Sequence, residues 1–153
     1  MASDNIYDRL KADHDQHRAL LKDIEAAFDD RDRLIDLIAH FRVEVTAHAA
    51  AEEESLYATM LANPDLREEA QHSVAEHKRI DDRLEEMEGL SVGSEEWREK
   101  FKDLRHCYLH HIDEEEDEMF PAADEELSSA KERELAETFE DRKPKELERA
   151  LKE

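Results

Sequence analysis

The sequence predicts an all-α fold: an up-down-up-down four-helix bundle with an internal pseudo-twofold repeat, plus a short C-terminal helix and tail. Three observations predict it. Only two Gly and three Pro interrupt 153 residues, a composition that favours long helices joined by short connections. Apolar residues recur at steps of three and four, the spacing of a buried helical stripe. The chain also repeats itself at an offset of 63 residues. His14 maps onto His77, His48 onto His111, Glu52 onto Glu115, Asp13 onto Glu76 and Phe41 onto Leu104. Leu56 and Tyr57 map onto Met119 and Phe120. Such a repeat signals a duplicated helix pair, and two antiparallel pairs make a bundle. The bundle is expected over residues 1–127, with 128–153 forming the C-terminal helix and an acidic tail.

The first helix is expected from about Ser3 or Asp4 to Phe28. Its inner stripe is Tyr7, Leu10, His14, His17, Leu21, Ile24 and Phe28. Asp29 to Asp32 reads as a tight connection. The second helix follows to about Leu61, with Leu34, Ile38, Phe41, Val45, His48 and Glu52 on one stripe. Asn63 and Pro64 end it, because the residue before proline avoids helical geometry. The third helix is expected from about Pro64 to Met87, since proline is tolerated in a first turn. Its stripe is Leu66, Ala70, Ser73, His77, Ile80, Leu84 and Met87. Gly89 to Ser94 is the clearest loop, and Ser94 can cap the fourth helix. That helix carries Trp97, Phe101, Leu104, Tyr108, His111, Glu115 and Met119 inward, and Pro121 should kink or stop it near Phe120. Leu127, Leu135 and Phe139 give a weaker pattern, read as a short fifth helix on the bundle end capped by Ser128 or Ser129. Beyond Pro144 the chain is expected to fray or to be disordered.

Charged residues make up 43% of the chain and its net charge is −22. That charge opposes binding to nucleic acid or to an anionic membrane surface and suits attraction of cations. One Cys excludes an internal disulfide and fits a reducing compartment. No apolar run approaches a membrane span, and the N-terminus lacks a signal-peptide core. The expected location is cytoplasmic.

The stripes carry the chemistry. His14, His48, Glu52, His77, His111 and Glu115 stand where a helix normally places leucines. A buried carboxylate without a partner is very costly, so a cation is expected among them. Four imidazoles and two carboxylates suit two metal ions, and iron, manganese and zinc all accept such ligands. Glu52 and Glu115 each have two oxygens and can bridge. Each ion then takes two His and keeps positions open for water or a small ligand. Phe41, Leu56, Leu104 and Tyr108 are the expected walls.

His14 within Asp-His-Asp, His48-x3-Glu52-Glu53-x-x-Leu-Tyr, Glu76-His77 and His111-x3-Glu115-Glu116-x-x-Met-Phe-Pro together resemble the hemerythrin HHE cation-binding domain. The resemblance covers roughly residues 4–125. It implies a four-helix bundle holding a non-haem di-iron centre, with the two Glu bridging and the four His as terminal ligands. Oxygen-carrying members hold a further His one turn before the position matched by His77, where this chain has Ser73. The departure implies a more open iron, suited to peroxide or redox chemistry rather than to reversible oxygen carriage.

The remaining candidates are weighed against plain packing. His17 is read as a core histidine or a hydrogen-bond partner of a ligand rather than as a ligand itself. Glu44 is left open between extra ligand, hydrogen-bond partner and bystander. Asp81 is an expected acceptor for His77. Tyr57 is read as a packing residue and Cys107 as simply buried. His40, His72, His106 and His110 are placed off the inner stripes. The preferred function is a di-iron protein that binds or reacts with oxygen, peroxide or nitric oxide, with no separate nucleophile or acid–base pair. The alternatives are an iron- or oxygen-sensing or iron-buffering module without turnover, and a metal-free helical interaction protein.

Overall fold

Asn5 opens the first helix: its side chain accepts a hydrogen bond from the Asp8 N–H at 2.9 Å, which satisfies one of the free donors of a helix start. The computed structural model describes residues 5–152, so the expected start at Ser3 or Asp4 lies outside the described residues. Helix α1 spans Ile6–Ala26. Asp30 caps the second helix, accepting from the Arg33 N–H at 3.2 Å. Helix α2 occupies 31–62, and α3 is Arg67–Glu88. Asn63 is extended, as a residue before proline must be, but Pro64 stays in the connection and the third helix begins three residues later than expected. Ser94 caps α4, at 95–126, by accepting from the Trp97 N–H. All described residues in regular structure are helical.

Two features of the helices are absent from the sequence reading. In α2 the winding widens from α to π over Glu53–Tyr57, and in α4 it does so over Glu115–Met119. The two π turns sit at equivalent places in the repeat, directly after or at the inward Glu. Such turns cluster at functional sites because they re-aim side chains without breaking the helix. Pro121 neither kinks nor stops α4. It falls in the first turn of α-winding after the π turn, where a missing N–H costs little.

The fifth helix also departs from expectation. Helix α5 spans Ser129–Lys152, 24 residues, and continues through Pro144. The Ser128 hydroxyl caps it, accepting from the Lys131 N–H at 3.1 Å. It lies along α2 and α1 rather than on the bundle end, and buries Leu135, Phe139, Lys143, Glu146 and Ala150.

Within the bundle, α1 pairs with α2 and α3 with α4. The interior is two apolar clusters. One, around Leu10, Leu56, Met60, Ala70, Phe120 and Phe139, fills the end where α5 packs. The other, around Leu21, Phe41, Ile80, Trp97, Phe101 and Tyr108, fills the opposite end. Buried His and Glu side chains form a polar layer between them.

Candidate metal centre

The structure brings all six sequence-predicted side chains into one layer, each no more than 6% exposed. Two overlapping groups result. His14, His48, Glu52 and Glu115 offer one ligand atom each within 4.8 Å of one another, and so do Glu52, His77, His111 and Glu115. The two Glu belong to both groups. Each His pair comes from one half of the repeat.

Each imidazole is held from behind by a carboxylate. His48 Nδ1 lies 2.8 Å from Asp13, His111 Nδ1 2.8 Å from Glu76, His14 Nδ1 2.7 Å from Glu116 and His77 Nδ1 2.8 Å from Glu53. An ionised carboxylate only accepts, so Nδ1–H donates and, when the imidazole is neutral, the lone pair is left on Nε2. All four Nε2 atoms face the layer's centre. His14 Nε2 is 3.2 Å from Glu115, His48 Nε2 3.6 Å and His77 Nε2 3.4 Å from Glu52, and His111 Nε2 3.8 Å from Glu115. This backing fixes tautomer and ring orientation and makes Nε2 a better donor to a cation. His77 Nε2 and His111 Nε2 are 3.1 Å apart; two inward lone pairs at that distance call for a positive charge.

The four backing carboxylates were missed as functional residues. Each stands beside a ligand candidate in sequence, one step off the stripe. The signal that could have found them is the same offset: Asp13 and Glu76, and Glu53 and Glu116, are 63 residues apart. The structure crosses them over, so that the neighbour of His14 serves His48 and the neighbour of Glu115 serves His14.

The residues fit a cation by a second test. His14 Nε2, His48 Nε2, both Glu52 oxygens and Glu115 Oε1 are buried without a well-directed hydrogen bond. Leaving such groups unsatisfied is expensive. Burial, and then the adjacent Glu115 charge, push the Glu52 carboxyl well above its ordinary pKa. Burial would raise Glu115 as well, but His111 and His14 outweigh it and hold that carboxyl well below the usual range. Burial and mutual repulsion thus both oppose ionising the two carboxylates together. Burial would lower His14, yet Glu115 and Glu116 carry it up to about 9. Burial takes His48 down to about 4 against the pull of Asp13.

Several neighbours differ from expectation. Tyr57 is buried as a packing residue should be, but its hydroxyl donates to Glu115 and lies 3.4 Å from His77 Nε2. Asp81 makes no hydrogen bond to His77; Glu53 takes that role. Glu44 stands behind the layer, 3.3 Å from Lys143 and 4.0 Å from His17. Lys143 of α5 also reaches Asp13 at 2.8 Å, and Phe139 packs edge-on against His48. Cys107 is half-buried and free. His40, His72, His106 and His110 are exposed. Ser73 is 3% exposed and its hydroxyl points to the Met119 sulfur at 3.8 Å.

His17 is fully buried, its Nδ1 2.5 Å from the Tyr108 hydroxyl and its Nε2 unpaired. Burial, with help from His48, depresses its pKa to about 2. Below the ordinary histidine pKa of about 6.5 the unfolded chain therefore takes up a proton here that the folded chain refuses, and stability falls with pH. Metal-free protein should lose roughly 2 kcal/mol between pH 6.5 and pH 5 from this residue alone. Urea unfolding at the two pH values checks it: His17→Gln should flatten the dependence, and superimposable dependences would show that His17 is not held neutral.

Comparison with known proteins agrees with the fold. The sequence model of the family described as hemerythrin HHE cation binding domain matches residues 5–123. A crystallised hemerythrin HHE cation-binding domain-containing protein from Mycobacterium kansasii superposes with a TM-score of 0.85 at 24% identity, covering 96% of this chain and 90% of that one. A Nostoc protein described as a DNA nickase is 27% identical over 143 residues, which is 92% of this chain but 40% of the Nostoc protein. No helix among the described residues is long and apolar enough to cross a membrane.

Proposed function

This chain belongs to the hemerythrin HHE cation-binding domain family, and from that premise we propose that it is a non-haem di-iron protein that binds or reacts with oxygen, peroxide or nitric oxide. The observation that carries the reading is the set of four imidazoles, each backed by its own carboxylate and turned Nε2-inward onto two shared Glu. On this reading His14 and His48 would hold one ion and His77 and His111 the other, with Glu52 and Glu115 available to either. When bound, a redox-active ion pair supplies electrons and Lewis acidity to a small oxygen species.

The chain's own residues do the rest. Asp13, Glu53, Glu76 and Glu116 keep the imidazoles in one tautomer. The Tyr57 hydroxyl donates to Glu115 and stands beside His77, so it orients the shared carboxylate. The apolar clusters close the layer off at either end of the bundle. Ser73, too short to reach the layer as an imidazole would, supports an open position and hence redox chemistry over reversible oxygen carriage. Nicking of DNA is not carried over from the Nostoc relative, because a chain of net charge −22 repels a polyanion.

The test is metal content, then turnover. Protein loaded with ferrous iron should hold two ions per chain and consume hydrogen peroxide, and a His111→Ala, Glu115→Ala double variant should do neither. Two ions held without turnover would move the function to iron buffering or sensing. Absence of bound iron, manganese and zinc alike would end the metal reading.

A further inference from the structure

The inner layer is buried, so an ion must cross the protein wall to reach it. A cavity of about 610 Å³ opens against it between α3 and α4. Glu68, Glu69, Glu114 and Glu118 line it, and no Lys or Arg does among the described residues. Burial and the charges of Glu118 and Glu68 push the Glu69 carboxyl up. The cavity is thus a field that concentrates cations.

An imidazole joins the carboxylates at one point. His72 Nε2 lies 2.9 Å from Glu114 and 3.5 Å from Glu76, and the three side chains offer ligand atoms within 4.8 Å of one another. Two deeply buried carboxylates then connect this point to the inner layer. Glu76, 7% exposed, gives Oε1 to His111 and turns Oε2 to His72. Glu115, 1% exposed, lines the same cavity while its Oε1 faces His14 Nε2 at 3.2 Å in the inner layer. His72 and Glu114 sit on the outer shoulders of the helices that carry His77 and Glu115 inward. His110 steadies Glu114 from the solvent side at 3.0 Å.

We propose that His72, Glu76 and Glu114 form a third, weaker divalent-cation site in this cavity, a staging post through which ions reach the buried centre. It rests on the reading of the inner layer as a metal centre. Imidazole with two carboxylates suits ferrous, manganous and zinc ions. Three protein ligands at a partly open position leave water on the ion, so it binds less tightly than a buried ion and can move on. Glu76 couples the two places, because it grips His111 with one oxygen and an arriving ion with the other.

Titration of the metal-free 153-residue chain with Mn(II), followed by electron paramagnetic resonance and by metal content after gel filtration, tests the proposal. Wild type should take two ions tightly and one weakly. A His72→Ala, Glu114→Gln variant, altered at two surface-accessible positions, should keep the tight pair, lose the weak ion and fill the centre roughly tenfold more slowly. Circular dichroism verifies that it is folded. Wild type saturating at two ions, or a folded variant that still binds three, overturns the proposal. A wild type with no tight pair but one weak ion, lost in the variant, supports the outer site and overturns the inner one instead.

Discussion

Glu52→Gln should empty the metal centre and make the metal-free protein more stable. Glu52 is fully buried, and neither oxygen has a hydrogen-bond partner. Its Oε1 faces His48 Nε2 and His77 Nε2 from opposite halves of the bundle, so in the proposed di-iron centre both ions would lose a ligand at once. A carboxamide keeps the shape but not the charge, and affinity for either ion should fall at least roughly 100-fold. Without metal the sign reverses. The Glu52 carboxyl is raised by burial and by Glu115. Above the ordinary carboxylate pKa the unfolded chain gives up this proton and the folded chain keeps it, a cost at neutral pH that glutamine removes. Replacing one of two crowded buried acids should gain about 1–3 kcal/mol, or roughly 2–10 °C in Tm for a chain of this length. Metal analysis and calorimetry of chelated protein check both halves. A variant that keeps two ions, or melts lower than metal-free wild type, would contradict the shared-ligand geometry.

Phe139→Ala should be the most destabilising change in α5. The ring is fully buried, packs edge-on against His48 at 5.6 Å and lies under the Arg9 guanidinium at 4.8 Å. Its loss removes apolar burial and leaves a cavity beside the polar layer, at a cost of about 3–5 kcal/mol. Tm should fall by roughly 10 °C. Leu151→Ala, at a side chain 71% exposed, should change stability by less than about 0.5 kcal/mol. Equal, small shifts for both would mean that α5 does not pack on the bundle in solution.

How much was legible follows from where each signal lies. His14, His48, Glu52, His77, His111 and Glu115 occupy positions a helix reserves for apolar groups, so the violation is visible in one dimension, and the 63-residue repeat separates them from off-stripe histidines such as His106 and His110. Asp13, Glu53, Glu76 and Glu116 are next to those residues and look like ordinary surface acids; only the crossing of the helices reveals whom each one serves. The π turns carry no composition of their own, because they answer to what the side chains must reach across the bundle. Helix α5 was underrated for a related reason. Its inner face runs Leu135, Phe139, Lys143, Glu146, Ala150, and two charged residues hide the stripe. Lys143 is inside because Asp13 and Glu44 receive it. Pro144 removes a backbone donor and crowds the Glu140 carbonyl, which argues for a helix end there, yet the helix runs on to Lys152.

One flank of the molecule is closed and the other is not. Helix α5 lies over α1 and α2 and packs behind His48 with Phe139 and Lys143, while among the described residues no helix lies in that way over α3 and α4, where the cavity reaches Glu115. A duplicated sequence built two matching seats, and an appended helix gave them unequal surroundings: it screens the flank of α1 and α2, while the acidic cavity opens on the flank of α3 and α4.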